Sequence, residues 1–199
     1  GRKKLHRDLA YDFIQSHIKD LGITTYINQH YLNVAQHDSD QWIWESDGVT
    51  MTHVPKFTVE YVDYYGSNVR LSQIVPLKIY NQTAYSLIAE TNFHNEYVFF
   101  TEKTVKPILG RRLFVMLGNR FSLQKLRELG FKTFDTIIDE SYDSVESIDQ
   151  RMTLALEQLK WLCHQPQEKI LTQCRSIVEH NFKHMMTTDW YQLFLNEYK

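Results

Sequence analysis

The stretch YSLIAETNFHNEYVFFTEKTVKPILGRRLFVMLG, Tyr85 to Gly118, carries the clearest pattern in the chain. Tyr85-Ser86-Leu87-Ile88-Ala89 is a short, largely apolar run, typical of a strand buried on both faces. Glu90-Thr91-Asn92 stands at its C-terminal end. After a polar loop, Thr101 is a natural N-cap for a helix through Leu109, and Glu102 suits the positive end of that helix. Pro107 lies past the first turn, so the spacing predicts a kink or a short helix closed by Gly110. Leu113-Phe114-Val115-Met116-Leu117 reads as a second buried strand, ended by Gly118. Ser122 is the expected cap of a helix from Leu123 to Leu129, stopped by Gly130. Phe131-Lys132-Thr133-Phe134 is a third extended piece. This alternation predicts an α/β fold: a Rossmann-like parallel sheet with right-handed crossovers, flanking helices and a helical C-terminal region.

Upstream, Leu5, Leu9, Phe13, Ile14, Ile18 and Leu21 follow helical spacing, and Gly22 is a C-terminal stop. A helix from about Leu5 to Leu21 is expected. Its N-terminal turn carries Arg2, Lys3, Lys4, His6 and Arg7, the wrong sign for the helix dipole. Cations placed where they cost stability suggest a second task, such as holding an anion. Residues 23–80 form a loop-rich aromatic segment of weak periodicity. Phe57-Thr58-Val59-Glu60-Tyr61-Val62 alternates like a strand, and Trp42-Ile43-Trp44-Glu45, Asp47-Gly48 and Tyr65-Gly66-Ser67-Asn68 read as short elements and turns. That segment is either core and loop packing or a ligand-facing surface. Residues 147–199 are helical. Ile148, Met152, Ala155, Leu159 and Leu162 make one stripe. Ile170, Leu171, Cys174, Ile177 and Val178 make a second after Pro166, and Trp190, Leu193 and Phe194 a third.

Composition narrows the function classes. With 199 residues the chain favours one domain. The formal net charge is −2, from 22 basic and 24 acidic residues, which does not suit a coat for nucleic acid or an anionic membrane surface. Cys163 and Cys174 cannot build a disulfide framework, which points to a reducing, cytoplasmic setting. They fall on the helical stripes as core residues. No apolar run approaches the roughly 18 residues of a membrane span. The seven glycines never cluster, which excludes the GxGxxG and Walker A phosphate loops. Any phosphate must be held by side chains and helix termini.

In open parallel sheets, ligands bind beyond the C-terminal ends of strands. Glu90 and Asn92 occupy such a position, and Thr101, Glu102 and Lys103 open the next helix. A helix N-terminus with a lysine suits an anion, and a nearby carboxylate can accept two hydrogen bonds from a ribose diol. The alternative is an ordinary capped helix with a solvated Glu102–Lys103 pair.

Tyr85 to Gly118 resembles the nucleotide-sugar-binding segment of glycosyltransferases with the glycosyltransferase-B fold. The nearest pattern is that of the fucosyltransferase family: a strand ending in Glu-Asn, then Thr-Glu-Lys opening a helix, then a strand ending in Leu-Gly. Here Thr91 intervenes between Glu90 and Asn92. Phe121 to Asp143, FSLQKLRELGFKTFDTIIDESYD, is similar to a group of glycosyltransferase-like proteins common in phages and marine microbes. That group tends to carry a His-Arg pair in an early helix, matched by His6-Arg7. The resemblance implies a donor-binding domain that moves a glycosyl group from a nucleoside-diphosphate sugar to a saccharide or other hydroxyl acceptor. It implies no metal and no cofactor beyond that substrate. Arg7, Lys103 and Thr101 would hold the donor diphosphate, and Glu102, Asn92 and Glu90 its ribose or sugar. No general base is assigned. Enzymes of this fold have two Rossmann-like halves, on the order of 150–200 residues each. The length therefore implies residues 1–199 as the donor half, with an N-terminal acceptor domain outside it. A non-catalytic carbohydrate- or nucleotide-binding module, or a degenerate relative, is the alternative.

Three lesser patterns complete the reading. Asp38-Ser39-Asp40 fits a DxD metal motif, but lies in a polar loop. His180 and His184 sit one helical turn apart, as a metal pair or as packing. The acidic run Asp139-Glu140-Ser141-Tyr142-Asp143 is a cation site or a loop before a helix.

Overall fold

The computed structural model describes residues 4–26, 43–46, 49–51, 61–64, 67–70, 73, 75, 77–93 and 97–197. Asp38, Asp40, Trp42, Asp47-Gly48, Tyr65-Gly66, residues 57–60 of the expected strand and the basic residues Arg2 and Lys3 lie outside them. The architecture is mixed α/β. Helix α1 spans Leu5–His17, shorter than its periodicity predicts. Ile18 leaves helical geometry at φ −142° and is buried, and a 3-10 turn over Lys19–Leu21 follows. Burying that side chain outweighs one more helical turn. Gly22 is extended and follows the 3-10 turn, so the stop that the sequence suggests closes that turn rather than α1.

Three short strands, β1 (Ile23–Tyr26), β2 (Ile43–Ser46) and β3 (Val49–Met51), form an antiparallel sheet in that order. Strands β4 (Tyr61–Tyr64) and β5 (Ser67–Arg70) pair antiparallel, Tyr61 opposite Arg70 and Tyr64 opposite Ser67. The alternating 57–62 run therefore supplies only its last two residues to a described strand. A single helical turn, α2 (Leu77–Tyr80), leads into the parallel pair.

That pair is β6 (Tyr85–Ala89) and β7 (Leu113–Leu117), in register from Tyr85 opposite Leu113 to Ala89 opposite Leu117. The Glu90 N–H carries the ladder one step further, donating to the Leu117 carbonyl at 2.9 Å. Helix α3 (Glu102–Leu109) is the crossover, with Pro107 inside it and Thr101 as N-cap. Every residue of β7 is buried, whereas in β6 only Ile88 is. The expectation of two doubly buried strands thus holds for β7 alone. Among the described residues β6 has no second neighbour strand.

Two further expectations are corrected downstream of β7. Helix α4 covers Ser122–Glu128, and its N-cap is Phe121, at φ 66°, rather than Ser122. The Ser122 hydroxyl instead donates back to the Asn119 carbonyl at 2.7 Å. The open N–H groups of α4 are met from a distance: the Asp143 carboxylate accepts from Leu123 N at 2.9 Å and Gln124 N at 3.0 Å. Phe131–Phe134 joins no strand ladder. The Asn181 side chain takes the place of a neighbouring strand there, accepting from Lys132 N and donating to Lys132 O, both at 2.8 Å. The described residues thus hold one strand–helix–strand unit, not a three-stranded parallel sheet.

Helices α5 (Ile148–Cys163), α6 (Gln167–Thr187) and α7 (Trp190–Glu197) match the three stripes. Ser147 caps α5, accepting from Gln150 N at 3.4 Å. Met152, Ala155, Leu156, Leu159 and Leu162 from α5, with Ile170, Cys174 and Val178 from α6, join β7 in the core. Each fully buried large apolar side chain there contributes about 1.5–3 kcal/mol. Helices α5 and α6 both pack on β7, α3 packs on β6 and α6, and α1 packs on α5. Both cysteines are free, Cys174 buried and Cys163 partly so.

His180 and His184 are packing residues. Their rings stack at 5.9 Å, and their Nε2–H groups donate to the carbonyls of Gly130 (3.0 Å) and Leu129 (2.7 Å), which follow α4. With both Nε2 atoms so engaged they hold a helix end rather than a metal. Gly130 sits at φ 90°, and an added Cβ would stand 2.7 Å from the His184 ring. Gly130→Ala is expected to cost at least ~1–2 kcal/mol from the left-handed backbone alone, read as a lower urea midpoint. Unchanged stability would contradict this packing.

Candidate functional site

The C-terminal end of β6 gathers residues from three elements. Glu90 comes first, and it is 1% exposed. Its Oε1 accepts from Thr101 N at 3.0 Å and from the Thr104 hydroxyl at 2.6 Å. Its Oε2 accepts from the Thr101 hydroxyl at 2.6 Å and from its neighbour Thr91 N at 3.1 Å. A carboxylate has about four acceptor sites, and all are met by protein donors. Glu90 is thus a clamp that fixes the end of β6 to the start of α3. Thr101, read from the sequence as a diphosphate contact, is the other half of that clamp as well as the helix cap, with its Oγ1 accepting from Lys103 N at 3.3 Å.

Helix α1 brings its first turn to the same place. Lys4 Nζ donates to Thr91 O at 2.6 Å, and the His6 Nε2–H donates to Glu90 O at 2.9 Å. Arg7 Nη2 reaches Ala89 O at 3.3 Å and Glu90 O at 3.5 Å. His6 is buried and stacks on Phe93, ring centroids 4.8 Å apart. The basic first turn is therefore offset by the carbonyls of Ala89, Glu90 and Thr91 at the end of β6. Burial draws Arg7 below its ordinary pKa, against the opposing charges of Glu90 and Glu102.

From α3, Lys103 Nζ donates to Glu102 Oε1 at 2.8 Å and to the hydroxyls of Thr91 and Thr101, each at 3.3 Å. Glu102 is pushed up by burial, but its hydrogen bond and attraction to Lys103 outweigh that and hold it below the ordinary carboxylate value. The Lys103–Glu102 pair therefore persists at neutral pH and is lost as pH falls through that lowered pKa. Lys106, one turn on, is drawn down by burial and by Lys103, while Glu102 opposes the shift. Asn92 is half-buried on the loop just beyond Glu90.

The structure thus brings Arg7, Glu90, Thr101, Glu102 and Lys103 to one strand end, with Asn92 beside them. Lys106 is not singled out by the sequence, and Lys4 stands out there only as one of the basic residues opening α1. The helical offset of Lys106 from Lys103 was a usable cue, whereas the proximity of Lys4 depends on how α1 packs. The α4 terminus, at the end of the neighbouring strand, is filled by Asp143 and offers no open anion position. The acidic run is structural in the same way: Glu140 accepts from Phe134 N at 2.7 Å and from Arg127 Nη1 at 3.0 Å.

Among the described residues no three metal-ligating side chains cluster, and no helix is long and apolar enough to cross a membrane. Comparison with known proteins found no match to any family model, curated protein or solved structure.

Proposed function

We propose that this chain is a Rossmann-like donor-binding domain of a glycosyltransferase, holding a nucleoside-diphosphate sugar at the C-terminal end of β6. The observation that supports this reading is the convergence of Arg7 and Lys103, 96 residues apart in sequence, on the end of β6 and the first residues beyond it, where helix α3 also begins. Two cations beside a helix N-terminus suit a diphosphate.

The chemistry follows from charge. As the anomeric carbon–oxygen bond breaks, its electron pair moves onto the departing diphosphate. A bond from the acceptor hydroxyl oxygen to that carbon forms, and the hydroxyl proton is released. Cations that bind the leaving group more tightly as its charge grows lower the barrier. Lys103 would exchange Glu102 for phosphate oxygens. A partly exposed pair of this kind is worth only about 0–1 kcal/mol, so the exchange costs little and frees Glu102 to accept from ribose or sugar hydroxyls. Asn92 would line the same pocket. Glu90 and Thr101 serve by positioning Lys103 and the helix end. The acceptor would be a saccharide or other hydroxyl compound, and the setting cytoplasmic.

The test is calorimetry of the full chain against UDP, GDP, ADP and CDP, each with and without its sugar. One of them should bind with measurable heat and raise the melting temperature. No heat and no thermal shift across the panel would end the donor reading.

A further inference from the structure

A second group of cations lies at the end of the other parallel strand. Arg151 is 5% exposed, although it projects from α5. Its Nε donates to Gly118 O at 3.3 Å, and its Nη1 to Val145 O at 2.6 Å and Glu146 O at 3.3 Å. Arg120 Nε donates to Ser144 O at 2.7 Å. Two guanidinium groups thus grip three consecutive carbonyls. Each also lies over an aromatic ring: Arg151 is 5.2 Å from the centre of Phe93, and Arg120 is 4.5 Å from that of Phe121. Neither forms an ion pair among the described residues. Asp143, whose charge Arg151 senses, has both oxygens engaged by Leu123 N and Gln124 N.

Holding two like charges together, one of them buried, is costly when no carboxylate among the described residues stands within ion-pair distance. Arg151 keeps Nη2, and Arg120 both Nη atoms, without a protein acceptor among the described residues. A planar fork with spare N–H groups matches an oxyanion. Phe121, partly exposed under Arg120, adds an apolar surface beside the guanidinium.

The geometry points to an oxyanion subsite formed by Arg120 and Arg151, whose ligand is the carboxylate or phosphate of an acidic sugar. Phe93 joins it to the β6 end, since the ring carries His6 as well as Arg151. That the acidic sugar is the acceptor rests on the donor reading.

The full chain is titrated with glucuronate, glucose 6-phosphate, inorganic phosphate and neutral glucose, with and without saturating GDP or UDP. Either or both acidic sugars should bind, which distinguishes carboxylate from phosphate, and should do so more tightly than phosphate alone; glucose should not bind. Arg120→Ala should weaken that binding at least ~10-fold and leave nucleotide affinity within about twofold, while Lys103→Ala does the reverse. Arg151→Lys, which retains the charge without the fork, should weaken it too. Should Arg151 variants fail to fold, the exposed Arg120 still decides. An unaffected Arg120→Ala, glucose binding as well as glucuronate, no acidic sugar binding, or competition between nucleotide and acidic sugar would each overturn the subsite. Arg120-dependent glucuronate binding with no nucleotide binding would instead keep the subsite and remove the donor reading.

Discussion

Glu90→Ala is expected to destabilise the protein by about 3–5 kcal/mol. The buried carboxylate accepts two backbone N–H groups and two hydroxyls. Each buried donor left without a partner costs about 1–3 kcal/mol. The Thr101 and Thr104 hydroxyls can rotate toward other acceptors, but the N–H of Thr101 is held by the helix it precedes. Glu90→Gln should cost less, because one side-chain oxygen still accepts while the amide nitrogen opposes the remaining donors. Urea unfolding followed by far-UV circular dichroism gives the values. A loss below about 1 kcal/mol for the alanine variant would mean that Glu90 does not clamp β6 to α3. The same variant should lose nucleotide binding even where it remains folded, because Lys103 and the α3 terminus depend on that clamp.

The second large effect concerns the cations. Arg7→Ala and Lys103→Ala should each weaken nucleoside-diphosphate binding by about 1.5–3 kcal/mol, the worth of a hydrogen bond to a charged group. That is roughly a 10- to 150-fold rise in Kd. The double variant should fall short of the sum, since both residues share the field of Glu102 and are thereby coupled. Stability should fall little with Lys103→Ala, whose contacts are partly exposed. It should fall more with Arg7→Ala, which also holds α1 to the end of β6. Unchanged affinity in both single variants would refute the site and leave the fold as it is.

The sequence is legible where local physics decides. The apolar runs of β6 and β7, the Thr101 cap and the three C-terminal stripes all depend on neighbours within a few residues. Each of those elements is present in the structure, β6, β7 and the Thr101-capped helix with the ends the sequence suggests. Where a distant residue supplies the partner, the local pattern misleads. Ser122 has the right chemistry for a cap, yet Asp143 reaches the α4 terminus first, and Ser122 turns to Asn119. Phe131–Phe134 has strand character, yet the amide of Asn181 takes the hydrogen bonds that a strand would have made. His180 and His184 have metal-ligand spacing, yet two backbone carbonyls claim their Nε2–H groups.

The same division runs through the site. Glu90, Glu102 and Lys103 stood out from the order of strand end, loop and helix start, and the unfavourable basic turn of α1 marked Arg7. Sequence order alone determined that these residues lie near a strand end or a helix start, because periodicity and capping are local. Only tertiary packing decided that α1 would lay its first turn on the end of β6. Packing also turned Glu90 inward as a clamp rather than outward as a ligand, and left Arg120 and Arg151 together with no carboxylate of the described residues at ion-pair distance. Those outcomes depend on which distant groups compete for each hydrogen bond once water is excluded, and that competition exists only when the chain has folded.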